Sequence, residues 1–331
     1  MTMKRKVYWA GFLILFCGSL IAVWALRNVS ARGVQAGSGT PKTISQHKAA
    51  PTDANDVLVL HFENSLTGEN GETPAQATGT GFVPGLVGSA VNLPANNVLT
   101  YQSAGNINAL EGTFAFWIKP NWSGNDNIPR TVMQWGSAGG LAIQKDANPN
   151  LRMIVNLFSP QGNGFGQYAS ISNWQINQWH HVAYTWSSNN RFVKAYIDGL
   201  LVSQGTLSNP LPAISSSTFR IGANTDNSTF LDATIDELRI SDIPRTDAEI
   251  AQQFFSAVTV TSLTVEPQSL QMFPGWFWTP KLTAVTNLGT MQVSSAGINW
   301  TSSNPSVAIV QADGRIKCLA PGNVTLTANI Q

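Results

Sequence analysis

Apolar and polar residues alternate with a period of two along residues 112–240 of this chain. The alternation is clearest in five short segments, 112–120 (GTFAFWIKP), 176–186 (INQWHHVAYTW), 193–202 (VKAYIDGLLV), 219–224 (FRIGAN) and 233–240 (ATIDELRI). Gly, Asn, Pro or Asp residues bound each segment. A period of two is typical of strands that bury one face, so the pattern predicts antiparallel β-sheets.

Short sequence motifs predict a turn and a helix between these strands and after them. Asp198-Gly199 separates two alternating runs and predicts a tight hairpin, because both residues readily adopt positive φ. Thr246-Asp247-Ala248-Glu249 has the pattern of a capping box and predicts a short helix that ends near Phe255. Residues 57–62 (VLVLHF) open the first domain as a strand, and residues 63–88, rich in Gly, Thr and Asn, predict long loops.

Alternation also predicts which side chains form the core. In two of the segments the larger apolar residues share one face, and we expect both sets to be buried: Phe114, Phe116 and Ile118 in the first, and Val182, Tyr184 and Trp186 in the second.

The residues of these segments and their order along the chain resemble the laminin-G-like jellyroll of the concanavalin A-like lectin/glucanase superfamily. The resemblance covers roughly residues 57–255 and lies in several short motifs spread over that span. It implies a jellyroll β-sandwich at residues 56–256, closed by the short helix.

A second unit begins near Val258. The residues that characterise it are Trp300, Ser302, Ser303, Asn304-Pro305, Val307-Ala308, Asp313-Gly314, Pro321-Gly322 and the terminal strand 324–330. They resemble the bacterial group 2 immunoglobulin-like domain, which implies a small β-sandwich at residues 258–331 that acts as a spacer or adhesion module. The expected fold class is therefore all-β, a concanavalin A-like jellyroll β-sandwich plus a C-terminal immunoglobulin-like β-sandwich.

Three consecutive aromatic residues depart from the immunoglobulin-like pattern. Trp276-Phe277-Trp278 stand where the family usually has smaller residues. We expect these rings to form the joint between the two domains, and a ligand-binding patch is the alternative.

The N-terminus has the pattern of an export signal. Lys4-Arg5-Lys6 precede the apolar run 7–26, and a run of about 20 residues is long enough for a signal core or for a membrane span. We predict that residues 1–31 are either a signal peptide or an N-terminal membrane anchor, which would be a transmembrane helix. We predict that residues 32–55 are a flexible linker. The folded part is then exported, to the extracellular space, the cell surface or the periplasm.

The charge balance of the chain limits the classes of binding partner that we expect. Charged residues make up 11% of the chain, against roughly 25% in typical soluble domains. Without residues 1–31, fifteen Lys and Arg residues face eighteen Asp and Glu residues, a net charge of −3. A faintly acidic body without a basic cluster argues against nucleic acid, and against membrane contact other than through an uncleaved N-terminal segment.

Signals of catalysis are lacking in the sequence. Glycoside hydrolysis needs two carboxyl groups about 5–5.5 Å or 6.5–9.5 Å apart, whereas Asp232 and Asp236 on one strand would lie about 13 Å apart. The four histidines have no metal-ligand spacing, and no nucleophile elbow is present. Cys318 lies in an alternating strand and is predicted to be a small buried residue. We therefore predict that the protein is not an enzyme.

Aromatic residues in polar loops are the candidates for ligand binding. Trp122 and Asp126 lie in the loop 121–130 (NWSGNDNIPR), and Phe165 and Tyr168 lie in SPQGNGFGQY. A sugar could stack on the rings while amides and the acid bind its hydroxyl groups. The alternative is that these rings pin their own loops to the sandwich.

The jellyroll resemblance also implies one structural Ca²⁺ ion, near the place where the first and last strands meet. Glu63 and Asp236 occupy the matching positions and would supply the oxygen ligands that Ca²⁺ prefers. The family more often has Asp where this chain has Glu63, and its following loop pattern is not recognisable in residues 66–79. The alternative is that the two acids are solvated or cap backbone groups.

Taken together, these features predict an exported, non-catalytic binding or adhesion protein whose jellyroll engages an extracellular glycan or protein surface. Two alternatives stay open. One is a structural component of the cell surface or matrix without a soluble ligand, and the other is a divergent glycoside hydrolase.

Overall fold

The computed structural model describes residues 22–26, 48–136, 140–157, 165–207 and 216–329, and for 22–26, 153–157 and 165 it describes the backbone alone. The strands before the helix are β1 (Ala22–Leu26), β2 (Asp56–Leu60), β3 (Gln76–Thr78), β4 (Gly81–Pro84), β5 (Ser89–Leu93), β6 (Val98–Gln102), β7 (Glu111–Pro120), β8 (Arg130–Trp135), β9 (Gly140–Lys145), β10 (Asn150–Leu157), β11 (Phe165–Ser170), β12 (His180–Ser187), β13 (Phe192–Ile197), β14 (Leu200–Thr206), β15 (Thr218–Ile221) and β16 (Ala233–Ser241). The later elements are helix α1 (Asp247–Ala257), β17 (Val260–Glu266), β18 (Ser269–Met272), β19 (Phe277–Trp278), β20 (Lys281–Thr286), β21 (Gly289–Val293), the 3₁₀ turn η1 (Ser295–Gly297), β22 (Asn299–Ser302), β23 (Ala308–Val310), β24 (Ile316–Cys318) and β25 (Val324–Asn329).

Two antiparallel sheets form the first domain. The seven-stranded sheet has the order β11-β10-β9-β8-β15-β6-β3, and the eight-stranded sheet has the order β14-β13-β12-β7-β16-β5-β4, with β2 also paired to β16. The predicted core residues are buried between the sheets and are at most 1% exposed: Phe114, Phe116, Ile118, Val182, Tyr184 and Trp186. The all-β fold class is confirmed, and the core explains it, because each sheet buries one alternating face.

Helix α1 covers the outer face of the eight-stranded sheet. Its capping box is present, since Thr246 and Glu249 each accept a backbone hydrogen bond from the other. Phe254 stacks on Trp117 with ring centroids 5.6 Å apart, and Ile250 packs on Ala115, Ala183 and Tyr196 of the sheet. Trp117 is only 2% exposed, so this ring serves the packing of the helix.

The last part of the predicted linker is bound to the jellyroll. The guanidinium group of Arg239 donates a hydrogen bond to the carbonyl of Ala50 at 2.7 Å. Arg245 pairs with Asp53 at 2.5 Å. Residues 48–55 therefore form part of the packed domain, because two buried arginines supply donors that the polar composition of this segment does not reveal.

Three smaller sheets form the second domain, with the orders β18-β1-β25-β22, β17-β20-β21 and β19-β24-β23. Cys318 is fully buried there, as predicted. The predicted signal or anchor lies outside the described residues apart from the backbone of β1, which pairs with β18 and β25. Within the described part of the chain, no helix has the length and apolar character needed to cross a membrane.

Helix α1 and η1 form part of the contact between the two domains, and Leu86 and Trp117 of the jellyroll join the apolar cluster of the second domain. A Cβ atom added to Gly297 would lie 2.5 Å from Cβ of Ala251, so the two backbones approach closely at a position that only glycine fits.

Trp276 and Phe277 are 58% and 45% exposed. The expectation that Trp276 and Phe277 form the joint is therefore wrong. Trp278 is half-buried and packs against the apolar cluster that includes Trp117 and Phe254 of the first part of the chain and the core of the second domain.

Candidate functional site

The outer face of the seven-stranded sheet carries a row of polar side chains. The strand register places Gln76 beside Thr100, Thr100 beside Arg220, and Arg220 beside Gln134. The residues on either side of Arg220 are fully buried in the core. Because successive side chains of a strand point to opposite faces, Arg220 and its neighbours in the row point away from the core.

A pocket of about 560 Å³ opens at one end of this row. It is lined by Gln76, Thr78, Asn96, Val98, Thr100, Thr218, Arg220, Asn227 and Phe230. The lining combines three amides, three hydroxyl groups, one guanidinium group and one half-buried aromatic ring. We refer to it as the Arg220 pocket.

The loop that follows β15 forms one wall of the Arg220 pocket. The guanidinium group of Arg220 donates to the carbonyl of Asn224 and, at 2.5 Å, to Oδ1 of Asn227. The hydroxyl groups of Thr131 and Thr229 lie 2.6 Å apart and tie the far side of the loop to β8. Partial burial lowers the pKa of Arg220, but the guanidinium group stays charged at neutral pH. The wall is therefore held by a cation that also faces the pocket.

Tyr168 lies on the same face at the opposite edge of the sheet. It stands beside Arg152 in the register, and the Arg152 guanidinium carbon lies 5.9 Å from the centre of the Tyr168 ring. The side chain is 44% exposed. Tyr168 thus remains a candidate for ligand contact. The side chain of Phe165, the other predicted ring of this loop, lies outside the described residues.

Trp122 offers no free ring face. It is 3% exposed, with Trp174 stacked at a centroid distance of 6.1 Å and the Arg130 guanidinium carbon 4.8 Å from its ring centre. Its indole N–H donates to the carbonyl of Leu231 at 3.0 Å. The geometry therefore favours the alternative interpretation of Trp122, in which the ring anchors its own loop to the sandwich and does not contact a ligand.

Asp126 is engaged by two cations of the protein itself. It pairs with Arg130 at 2.6 Å and with the fully buried Lys145 at 2.9 Å. Burial raises the pKa of Asp126, but hydrogen bonds from Lys145, the backbone of Ile128 and Arg130 outweigh it and hold the pKa below the usual range. The carboxylate therefore stabilises the loop and has little capacity left for a sugar hydroxyl group.

Glu63 and Asp236 both hold the turn between β4 and β5. Asp236 accepts backbone N–H groups of Leu86 and Val87 at 2.8 and 3.0 Å, and Glu63 accepts that of Ser89 at 3.0 Å. Burial raises the pKa of Asp236 to about 7 against these hydrogen bonds.

This arrangement does not fit the expected calcium ion. Ca²⁺ takes six to eight oxygen ligands, yet the oxygens of the buried Asp236 face N–H donors. Within the described ranges, no group of three His, Cys, Asp or Glu side chains could hold a metal ion. The alternative interpretation, acids that cap backbone groups, agrees with the geometry.

Comparison with protein families identifies both domains. The model of the concanavalin A-like lectin/glucanases superfamily matches residues 88–251, and that of the bacterial Ig-like domain (group 2) matches residues 259–330. The chain therefore carries a laminin-G-like domain of the concanavalin A-like superfamily, followed by a group 2 bacterial immunoglobulin-like domain. The resemblance inferred from the sequence is confirmed. A search of curated proteins found no match to the chain.

Several solved structures are similar to this chain at low sequence identity. Domain 4 of AbnA, a GH43 extracellular arabinanase from Geobacillus stearothermophilus, in complex with arabinotriose, is 18% identical with a TM-score of 0.48, over 60% of this chain and 98% of that one. The receptor binding domain of botulinum neurotoxin D is 12% identical with a TM-score of 0.51, over 80% and 79%. The binding domain of botulinum neurotoxin serotype C1 is 12% identical with a TM-score of 0.50, over 81% and 79%. At this identity the likeness concerns the fold alone.

Sequence reasoning did not find the Arg220 pocket. The alternation in FRIGAN does place Arg220 on the face opposite Phe219 and Ile221. The pocket, however, also needs Gln76 and Phe230, which reach it through strand pairing and a loop that no local pattern reveals.

Proposed function

We propose that this chain is an exported, non-catalytic binding protein whose jellyroll binds a glycan in the Arg220 pocket. A sugar presents hydroxyl groups that both donate and accept hydrogen bonds. The amides of Gln76, Asn96 and Asn227 can meet both roles, and Arg220 adds charged donors. The ring of Phe230 offers an apolar surface for the C–H face of the sugar. This lining is the observation that carries the proposal.

The same lining favours binding over hydrolysis. Glycoside hydrolysis generally uses a pair of carboxyl groups that flank the scissile bond. Among the described residues that line the pocket, there is no Asp or Glu. Asp226 influences the pKa of Arg220 from the neighbouring loop, but a single acid on the rim does not make a pair. The divergent glycosidase is therefore the weaker interpretation.

The other domain and the N-terminus complete the proposal. The basic residues and apolar run of residues 1–31 support export. Cleavage and retention as an anchor are the two alternatives. The backbone pairing of β1 with β18 and β25 agrees with retention of residues 22–26, but not with a membrane span through them. The immunoglobulin-like domain follows the jellyroll directly through helix α1 and would space or dock it at the cell surface.

Glycan array binding of the full chain tests the proposal. We expect Phe230→Ala to weaken binding of the best glycan about tenfold or more, since it removes the apolar contact. Phe82→Ala is the matched control, because Phe82 is a 37% exposed ring on β4 of the other sheet, and we expect it to bind normally. Binding to no glycan on the array, or release of shorter products from a bound one, would contradict the proposal.

A protein surface is the second candidate ligand, and it would use the opposite edge of the sheet. Tyr168 and Arg152 lie together there, and Tyr and Arg are enriched at protein interfaces. In this case Tyr168→Ala would weaken the binding of a protein partner, and Phe230→Ala would leave that binding unchanged.

A further inference from the structure

The immunoglobulin-like domain exposes several apolar side chains that are distant in sequence from the residues of the Arg220 pocket. Phe273, Trp276, Phe277 and Leu319 are 53%, 58%, 45% and 40% exposed. We call these four residues the aromatic patch. Single exposed apolar side chains are common on protein surfaces, whereas neighbouring exposed rings that touch, as Phe273 and Trp276 do, mark a site of interaction.

The backbone holds the aromatic patch in place. The N–H group of Trp276 donates to the carbonyl of Phe273 at 3.1 Å and closes a turn at Gly275, whose φ of 88° suits glycine. Gly275 donates to the carbonyl of Cys318 at 2.8 Å, and Cys318 donates back to Trp276 at 3.0 Å. The two outer rings, Phe273 and Trp276, pack edge to face with centroids 5.0 Å apart. A ligand would therefore meet rings that are already ordered.

The size of the aromatic patch points to a small ligand surface. A large aromatic side chain buries about 150–250 Å², so three half-exposed rings offer roughly 300 Å². A stable protein interface needs about 800 Å² on each partner. Exposure near one half means that each ring rests on the domain with much of its surface turned to solvent. This presentation leaves a ring surface on which a sugar can stack.

Positive charge adjoins the rings. The charged groups of Arg315 and Lys317 lie 5.0 and 5.4 Å from the centre of the Phe277 ring. Residues 258–331 contain three basic and two acidic residues. Lys281 pairs with Glu266 and Arg315 pairs with Asp313, so Lys317 carries the net charge of +1 beside the patch.

We infer that the aromatic patch is a second binding site, which takes an acidic glycan. A sugar ring stacks on Trp276 or Phe273, and its carboxylate group is attracted to Lys317 and Arg315. This site lies on a different domain from the Arg220 pocket and goes beyond the function proposed above. Two sites on one chain would increase the avidity for a long polysaccharide.

Affinity electrophoresis of the full chain in gels that contain polygalacturonate tests the inference, with neutral dextran as the comparison. We expect retardation by polygalacturonate that Trp276→Ala weakens about tenfold, while Trp276→Phe retains most of it. Lys317→Gln should weaken retardation and reduce its dependence on salt. Phe82→Ala is the control for loss of an exposed ring and should migrate as the unmodified chain does.

Three results would overturn the inference. Retardation that is equal in Trp276→Ala and the unmodified chain would show that the patch does not bind the polysaccharide. Binding to phosphatidylglycerol vesicles that Trp276→Ala abolishes, without binding to polygalacturonate, would identify a membrane contact. Dimerisation that Trp276→Ala abolishes would identify a second copy of the chain as the occupant. Thermal unfolding of each variant shows whether its fold is retained.

Discussion

Asp236, on the last strand of the jellyroll, accepts the backbone N–H group of Leu86 at 2.8 Å, although 150 positions separate the two residues in the chain. The carboxylate also accepts the N–H groups of Val87 and Glu237. One buried acid thus closes the turn between β4 and β5 and couples the beginning of the domain to its end. The role of this acid is structural, in a position where the family resemblance suggested a metal ligand.

Asp236→Asn should lower the free energy of unfolding at pH 4, where the raised pKa keeps the Asp236 carboxyl protonated in the folded chain, so that no cost of a buried charge is removed. An amide has one acceptor oxygen, so at least one of the buried N–H groups loses its partner, at a cost of about 1–3 kcal/mol. Urea unfolding at pH 4 measures the difference. Glu63→Gln is the matched control, because Glu63 is exposed and we expect a change below about 0.5 kcal/mol.

Removal of divalent cations should leave the stability of the chain unchanged, since Asp236 and Glu63 bind backbone groups. Thermal unfolding with and without a chelator measures this. A melting temperature that falls with the chelator and recovers with added Ca²⁺ would contradict the interpretation of both acids.

Stability should fall between pH 6.5 and 9 through His61. Its imidazole donates to Glu237 at 2.8 Å and bonds to Glu69 at 2.7 Å, and these contacts, Glu237 first, raise the pKa of His61 to about 9 despite burial. Because the folded chain binds this proton more tightly than the unfolded chain does, the stabilisation is complete below pH 6.5 and is lost as the pH rises through 9.

The size of this effect is about 1–2 kcal/mol, once the shift is discounted for the partial exposure of His61. Urea unfolding at pH 6, 7.5 and 9 measures it. In His61→Gln the change across this window should be smaller than in the unmodified chain. An equal change in both proteins would show that another group is responsible.

Trp122→Ala should destabilise the jellyroll by about 3–5 kcal/mol, the usual cost of truncating a buried tryptophan. Urea unfolding measures the loss. Trp276→Ala removes the same side chain from an exposed position, so its cost should stay near or below about 1 kcal/mol. Similar small costs for both variants would mean that Trp122 is not the loop anchor that the geometry indicates.

Cys318 should resist thiol reagents in the folded chain. It is fully buried, and burial raises the pKa of its thiol. Modification by an aromatic disulfide reagent should be at least about a hundredfold slower in buffer than in denaturant. Equal rates would indicate that β24 opens readily.

Much of the fold could be predicted from the sequence because the signals are local. The hairpin at Asp198-Gly199 has the expected positive φ at both residues, 51° and 75°, and the capping box at Thr246 forms as its spacing predicts. Strands in segments with weak alternation are harder to predict. Strands β3 and β4 lie within residues 63–88, which the composition predicts as loops, because their pairing partners lie further along the chain.

The candidate sites were less predictable than the fold. Trp122 stands in a polar loop, yet Trp174 and Leu231 come from distant positions to contact it. The alternation of apolar and polar residues in the sequence does not predict such contacts. Arg220 is the opposite case, since alternation places it outside the core but only the assembled sheet shows what lies beside it.

The structure of the chain in a crystal soaked with its best-binding array glycan tests the central claim most directly. We expect the intact sugar in the Arg220 pocket, with a ring on Phe230 and hydroxyl groups at Gln76 and Arg220. A sugar bound elsewhere on the jellyroll, or a cleaved product lying between two carboxyl groups, would contradict the account.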